Sequence, residues 1–326
     1  MTRSIEGSSS PSSGTLGVRC PDCKSIHIVK CGKRKTKRGS RQQYHCNECG
    51  KRFVYNPFPG KMYRPGVIVD SIKLYYSGHP LSRTSKMINS RYKVNTSEST
   101  IYNWITEFDS ICSYSRRREH RGKYGSPLIK RNPFYHDGLR YEFRYHVGKL
   151  GDERRYHEKV VEFTRSVSER CPNELFNDDS SNTKRASELD LDISGDLDLY
   201  RTRNNACQLA GLALRANRNR KKRHTEVEEF MLTCDNATVA AELPVWYYDK
   251  DLECSVTGHI DLVQLRSGKV FLLDYKPKAQ KKNPVTQLYT YCKAFSYRTE
   301  TPLEMIRAAW FDEEIYIELK PLQFDI

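Results

Sequence analysis

The amino-acid sequence predicts an α+β multidomain chain that ends in an α/β core, a mixed sheet flanked by helices. Two Cys-x-x-Cys pairs stand near the N-terminus, and three short amphipathic segments follow them. The C-terminal part alternates apolar, strand-like runs with helical patterns, which is typical of such a core. The length of 326 residues allows roughly two domains of about 150 residues each.

The positive charge is concentrated at the start of the chain. The whole sequence carries +15, and residues 1–125 contain 24 Lys and Arg against 8 Asp and Glu. Because a basic surface attracts polyphosphates and releases counterions when it binds them, we expect a nucleic acid partner, with a merely soluble basic domain as the alternative. No run approaches the ~18 apolar residues of a membrane span, and the Ser-rich start lacks the apolar centre of a signal peptide, so membrane and secreted proteins are disfavoured.

The paired cysteines in residues 18–56 predict a small zinc ribbon. Cys20 and Cys23 form one hook, and Cys46 and Cys49 form a second hook after an interval of 22 residues. Four thiolates suit a tetrahedral Zn²⁺ and leave no position open for water, so the metal is expected to be structural. Cys31 is expected to be a bystander, as are two nearby histidines. The other six cysteines are scattered singly, which is typical of reduced thiols in an intracellular protein.

Residues 57–115 predict a three-helix helix-turn-helix. Apolar residues recur at helical spacing in three successive segments, and Ser97 or Thr96 can cap the third helix. Trp104 is expected in the core. In this geometry the start of the last helix meets base edges, while basic side chains touch phosphates. The expected DNA-binding residues are Arg83, Lys86, Ser97, Ser99, Thr100 and Asn103, with Arg91 and Lys93 as further phosphate contacts.

These two modules resemble the zinc ribbon and helix-turn-helix that begin many prokaryotic insertion-sequence transposases. The resemblance is carried by Cys20-Pro-Asp-Cys23, by the segment from Gln43 to Phe53, and by Tyr75–Gly78 with Ile101–Trp104. It covers residues 18–112. It implies DNA binding, and it implies no chemistry.

The remaining segments complete the predicted domain organisation. Residues 1–17 are rich in Ser and Gly and are expected to be disordered. Residues 116–133 are interpreted as a basic linker broken by Gly and Pro. Residues 134–326 form the C-terminal domain, in which residues 172–200 are an acidic insert with eight acidic and two basic residues. The structure of residues 134–171 and the role of residues 134–200 stay open.

Two apolar strands in the C-terminal domain carry the most specific pattern. Asp261 lies in the first strand, and Asp274 lies thirteen residues later, two positions before Lys276. Residues i and i+2 of a strand point to the same face, so Asp274 and Lys276 are expected to project together.

Phosphodiester cleavage needs a divalent ion held by oxygen ligands and charge relief on the phosphate. Asp261, Asp274 and the Tyr275 carbonyl are the expected ligands of Mg²⁺ or Mn²⁺, and Lys276 is expected to position water or meet the developing charge. The alternative is that Asp-x-Lys is an ordinary surface pair.

This pattern resembles the PD-(D/E)XK nuclease superfamily, and more closely its RecB-like and CRISPR-associated branch, over residues 204–320. The resemblance implies a restriction-endonuclease-like core and metal-dependent deoxyribonuclease activity. It implies catalytic roles for Gln287 and Tyr291, on the helix after the Asp-x-Lys strand, and metal binding by His224. Glu228 and Glu242 are the rivals of His224. Asp274 replaces the usual Glu of the family, and the few cysteines near the core predict no iron–sulfur cluster.

Three functions stay open from the sequence. The chain is a metal-dependent DNA nuclease, a non-catalytic DNA-binding regulator with a vestigial nuclease fold, or a transposase-derived protein that uses three carboxylates. A vestigial site has no physical reason to keep the intact catalytic set, which favours the nuclease. We expect a cytoplasmic setting in a prokaryote, an archaeon, a virus or a mobile element. Endo- or exonuclease action, strand preference and oligomeric state, a homo-oligomer included, are not readable.

Overall fold

The computed structural model describes residues 18–36, 39–178, 182–189, 199–216 and 219–321. The chain divides into two compact units, Met1–Met62 and Tyr63–Ile326. It is an α+β structure with a mixed sheet and helices, as the sequence predicts. The predicted disordered segment and much of the acidic insert lie outside the described residues. In the described ranges, none of the helices combines the length and apolar composition needed to cross a membrane.

The first unit is built on a three-stranded antiparallel sheet. Its strands are β1 (Ile28–Thr36), β2 (Gly39–Cys46) and β3 (Arg52–Val54), with β2 in the centre. The Tyr44 ring stacks on the Phe53 ring with their centroids 5.8 Å apart. The small core contains two of the paired cysteines and consists of Val18, Cys20, Ile28, Tyr44 and Cys46. So few apolar residues supply little folding free energy, which leaves a need for a further cross-link.

Three helices begin the second unit, as the sequence predicts: α1 (Pro65–Tyr76), α2 (Leu81–Tyr92) and α3 (Glu98–Glu107). Ser97 caps α3 by accepting a hydrogen bond of 3.1 Å from the Thr100 backbone N–H. Asn89 fixes the turn before it, because its side-chain oxygen accepts from the Thr96 backbone N–H at 2.7 Å. Trp104 is buried, as predicted.

These helices pack on the rest of their unit. The Lys73 ammonium of α1 lies 3.1 Å from the Glu229 carboxylate of helix α9 (Arg223–Cys234). The interpretation of residues 116–133 as a linker is wrong at the level of local structure, since they contain helix α4 (Arg117–Tyr124) and the start of strand β4 (Ile129–His136). Pattern reading missed this because the segment is anchored by a polar side chain: the buried His120 ring bonds to the Tyr114 hydroxyl at 2.7 Å.

A mixed sheet forms the centre of the second unit. Its order is β4-β5-β8-β9-β10-β11-β12-β7, and β6 pairs with β9. The pairs β10–β11 and β6–β9 are parallel, and the others are antiparallel. The further strands are β5 (Leu139–His146), β6 (Thr183–Arg185), β7 (Tyr200–Thr202), β8 (Thr238–Asp249), β9 (Cys254–Arg266), β10 (Lys269–Tyr275), β11 (Ile306–Phe311) and β12 (Tyr316–Leu319). The further helices are α5 (Val147–Glu153), α6 (Glu158–Glu169), α7 (Asn173–Phe176), α8 (Asn205–Leu214) and α10 (Val285–Thr299).

The acidic insert contributes more than a loop. It supplies α7, β6 and the start of β7, and the Ala186 backbone N–H donates to the Thr257 carbonyl of β9 at 2.8 Å. Strands of three residues are too short to show apolar alternation, so the sequence could not predict them. The sequence predicts apolar runs 239–248, 256–265 and 269–275 as strands of one meander, residues 284–297 as a helix and residues 305–318 as a last strand pair. Strands β8–β10, helix α10 and strands β11 and β12 confirm these predictions.

Candidate metal centre and active site

Three carboxylates stand side by side in the middle of the sheet. The registers of β8, β9 and β10 place Glu242, Asp261 and Asp274 in one row, one residue on each strand. Glu242 has φ 54°, a left-handed conformation that costs a strand residue roughly 1–3 kcal/mol. Its carboxylate contacts the His259 ring at 2.5 Å. The sheet therefore concentrates negative charge at this row and accepts backbone strain to do so.

The structure brings Asp261, Asp274 and Lys276 together. The Lys276 ammonium lies 2.9 Å from the Asp274 carboxylate. The Asp261 carboxylate accepts a hydrogen bond of 3.0 Å from the Tyr275 backbone N–H. Asp274 is buried, whereas the Lys276 side chain keeps a quarter of its surface exposed. The charged groups thus meet at a place that solvent reaches from the lysine side.

The two aspartates have opposite pKa shifts. Burial and the negative charge of Asp261 raise the pKa of Asp274 well above its usual value. Burial acts on Asp261 in the same sense, but hydrogen bonds with His224 and Asp274 outweigh it and lower the pKa of Asp261. Two carboxyl groups at such close range cannot both be charged at low cost, so one of them keeps a proton or needs a neighbouring positive charge, such as the Lys276 ammonium beside Asp274.

Helix α9 brings a second set of ligand types to Asp261. His224 and Glu228 lie one turn apart on this helix, and one ligating atom from each lies within 4.8 Å of the others and of an Asp261 oxygen. The His224 Nδ1 is 3.6 Å from the Asp261 carboxylate. Glu228 is completely buried, and its Oε1 lacks a hydrogen-bond partner within the described residues. Imidazole and carboxylate groups in this arrangement could hold a divalent ion.

Arg144 of β5 is a neighbour of this set that sequence reasoning missed. Its buried guanidinium forms an ion pair with Glu228. Burial and the charges of Glu242 and Asp261 still raise the pKa of Glu228 well above its usual value. The only available signal was an arginine among the aromatic and charged residues of a segment whose structure the sequence left open.

A cleft of about 350 Å³ opens over these groups. Asp261, Lys276, Gln287 and Tyr291 line it, and the Gln287 amide donates to the Tyr291 hydroxyl at 2.8 Å. The lining also includes residues that the sequence did not assign, namely His136, Tyr141 and Arg185 of β4, β5 and β6. The Tyr275 side chain points away, toward Arg223 and Glu313, with its hydroxyl 3.2 Å from the Arg223 Nε.

Gly258 controls the position of Tyr291. A Cβ at this glycine would lie 2.5 Å from the Tyr291 ring, so we expect Gly258→Ala to displace that ring and to cost about 1–3 kcal/mol. Gly211→Ala in helix α8 is the matched control, because a Cβ at this glycine would lie 3.9 Å from the nearest atom. We expect it to raise the free energy of unfolding by about 0.5–1 kcal/mol. Urea unfolding followed by tryptophan fluorescence measures both changes. Equal changes in the free energy of unfolding of the two variants would contradict the contact between residue 258 and the Tyr291 ring.

The four paired cysteines of the first unit form a compact cluster. Their sulfurs all lie within 4.8 Å of one another, and Cys20–Cys49 and Cys23–Cys46 are 3.5 Å apart. A tetrahedral Zn²⁺ with bonds of about 2.3 Å separates its sulfurs by about 3.8 Å, so the cluster could hold a structural metal such as zinc. The backbone N–H of Cys49 contributes most to lowering the pKa of Cys46, to about 7. Cys31 lies outside the cluster, and the His27 ring contacts Glu48 at 2.6 Å.

The predicted DNA-binding side chains lie on the surface of α2 and α3. Arg83, Lys86, Ser99 and Asn103 are exposed, as is Ser97, and Thr100 is half-buried. The Ser97 and Thr100 hydroxyls are 2.9 Å apart and take part in the helix cap. Arg91 forms an ion pair of 2.8 Å with Asp70. Ser97, Thr100 and Arg91 therefore already have polar partners within the protein.

Comparisons with models of protein families, with curated proteins and with solved structures find no match. The fold and site alone define the class of protein: an α+β chain with a four-cysteine cluster in one unit and, in the other, a cleft lined by carboxylate, imidazole and basic side chains.

Proposed function

We propose that this protein is a Mg²⁺- or Mn²⁺-dependent deoxyribonuclease, targeted to DNA by its N-terminal zinc ribbon and helix-turn-helix. The observation that carries the proposal is that Asp261, Lys276 and His224 line one cleft. The buried Asp274 contacts Lys276, and Glu228 lies beside Asp261 and His224. Oxygen and imidazole ligands next to one ammonium are what hydrolysis of a phosphodiester requires.

Each group has a distinct task in this proposal. Asp261, Asp274 and the Tyr275 carbonyl bind the divalent ion, with His224 and Glu228 as the additional ligands. The bound ion supplies Lewis-acid polarisation of the phosphate and an activated water. Lys276 places its positive charge where the phosphate gains negative charge. Gln287 and Tyr291 line the cleft at the position where they could contact the substrate backbone.

The surroundings of the site support the same proposal. Helix α10 is the next α-helix after the Asp-x-Lys strand and presents Gln287 and Tyr291 to the cleft, as the resemblance to PD-(D/E)XK nucleases implies. The mixed sheet between helices agrees with a restriction-endonuclease-like core. Zinc thiolates require reduced cysteines, and the eleven cysteines of the chain are free, so we propose a cytoplasmic setting.

The decisive experiment measures cleavage of plasmid DNA and of labelled single-stranded DNA with Mg²⁺ or Mn²⁺. We expect Lys276→Ala to lower the rate by about 10²–10³-fold, since it removes one group that stabilises the transition state. Lys250→Ala, an exposed lysine in the turn between β8 and β9, is the matched control and should cleave normally. A wild-type protein that binds DNA without metal-dependent cleavage would instead be the non-catalytic regulator.

A further inference from the structure

The positive charge of the N-terminal region is unevenly divided between its two modules. Residues 1–62 contain 13 Lys and Arg against 3 Asp and Glu, whereas residues 63–112 contain 6 against 4. Helix α3, the predicted reading helix, carries Glu98 and Glu107 and contains no Lys or Arg. Electrostatic attraction to phosphates therefore points to the first unit rather than to the helices.

The basic side chains of the first unit are concentrated on the β1–β2 ribbon, which we define by Lys33, Arg34, Lys35 and Arg41. The first three are exposed, and Arg41 is half-buried. Successive strand residues point to opposite faces, so Lys33 and Lys35 lie on one face and Arg34 on the other. Arg34 stands directly opposite Arg41 in the register. Both faces of the ribbon are therefore basic.

Arg34 and Arg41 stand opposite each other, an arrangement that lowers the stability of the sheet and favours the binding of an anion. Like charges directly opposite each other on neighbouring strands destabilise a sheet. The two carboxylates in the described part of this unit are engaged elsewhere, Asp22 with Lys51 at 2.8 Å and Glu48 with His27 at 2.6 Å. A polyanion bound across the ribbon would supply the missing counter-charge.

We propose that the β1–β2 ribbon, and not helix α3, provides most of the DNA affinity, by lying in the major groove of duplex DNA. The major groove of B-DNA admits a two-stranded β-ribbon and has phosphates along both walls, which matches cations on both faces. The end of β2 at Cys46 joins the cysteine cluster, so a metal bound by the cluster would hold the ribbon in position. This inference refines the targeting part of the proposed function.

The test compares two triple variants of the full-length, zinc-loaded protein by anisotropy of a labelled duplex, without Mg²⁺ or Mn²⁺. Lys33→Gln/Arg34→Gln/Lys35→Gln removes three charges from the ribbon, and Arg83→Gln/Lys86→Gln/Lys93→Gln removes three exposed charges from the helical segment. We expect the ribbon variant to bind more than tenfold more weakly and to lose about one unit of salt slope per cation. The affinity of the helical variant for the duplex should fall less than threefold. Unchanged zinc content and circular dichroism show that both variants are folded.

Equal losses in the two variants, a larger loss in the helical variant or absence of duplex binding by the wild type would overturn the inference. The groove itself is tested by competition. A-form duplex RNA has a deep, narrow major groove, so it should compete at least tenfold less well than duplex DNA of the same length. Equal competition would overturn insertion into the groove. Binding is measured without the catalytic ions, so failure here is distinguishable from a failure to cleave.

Discussion

Removing zinc from the full-length protein is expected to unfold the first unit and leave the second folded. The core of the first unit contains five buried residues, and two of them are cysteines of the cluster. Structural zinc contributes about 10–16 kcal/mol of apparent binding free energy in small zinc-finger peptides, more than so small a core can replace. After chelation or in Cys46→Ser, backbone amides of β1–β3 should therefore lose their protection from hydrogen exchange.

Two measurements make this prediction specific. All three tryptophans lie after residue 62, so tryptophan fluorescence reports on the second unit alone and should not change. Cys31→Ser is the matched control, because Cys31 lies outside the cluster. It should retain one zinc ion per chain and full protection of β1–β3. Protected strands after complete loss of the metal would contradict a structural role for zinc.

Local patterns with a strong physical requirement could be predicted from the sequence. The spacing of Cys20, Cys23, Cys46 and Cys49 identified a cluster that the structure assembles. Strand and helix periodicity gave the meander β8–β10 and helix α10. Asp274 and Lys276 lie together as predicted, although β10 ends at Tyr275, one residue before Lys276. Each cysteine hook, strand and helix is a pattern of a few neighbouring residues, which is the range that a sequence pattern reports. The two hooks, 22 residues apart, could be joined because Zn²⁺ prefers four thiolates.

Features that depend on distant partners could not be predicted. Strand β6 has three residues. It is a strand because it pairs with β9, which lies about seventy residues later in the chain. Arg185 of β6 and Tyr141 of β5 therefore enter the cleft with no local signal. The same holds for Arg144 and Glu228, which are separated by 84 residues and meet only because β5 packs against helix α9. The sequence alone does not show which distant carboxylate a buried arginine will contact.

The buried Arg144–Glu228 pair yields the other large expected effect. Both side chains are nearly or completely buried, and replacement of one leaves the other charge unpaired away from water. We expect Arg144→Met to destabilise the second unit by about 3–5 kcal/mol, measured by urea unfolding with tryptophan fluorescence. The double variant Arg144→Met/Glu228→Met should recover most of this loss, because two apolar side chains of similar length need no counter-charge.

The matched control for this pair is an exposed ion pair between β4 and β5. Arg131 of β4 contacts Glu142 of β5 at 2.7 Å, and both side chains are well exposed. Since exposed ion pairs contribute about 0–1 kcal/mol, Arg131→Met should have little effect. If Arg144→Met were equally mild, Glu228 would be able to stay buried without the guanidinium. This result would mean that Glu228 is protonated and uncharged. It would then no longer be supported as a ligand of a divalent ion beside Asp261.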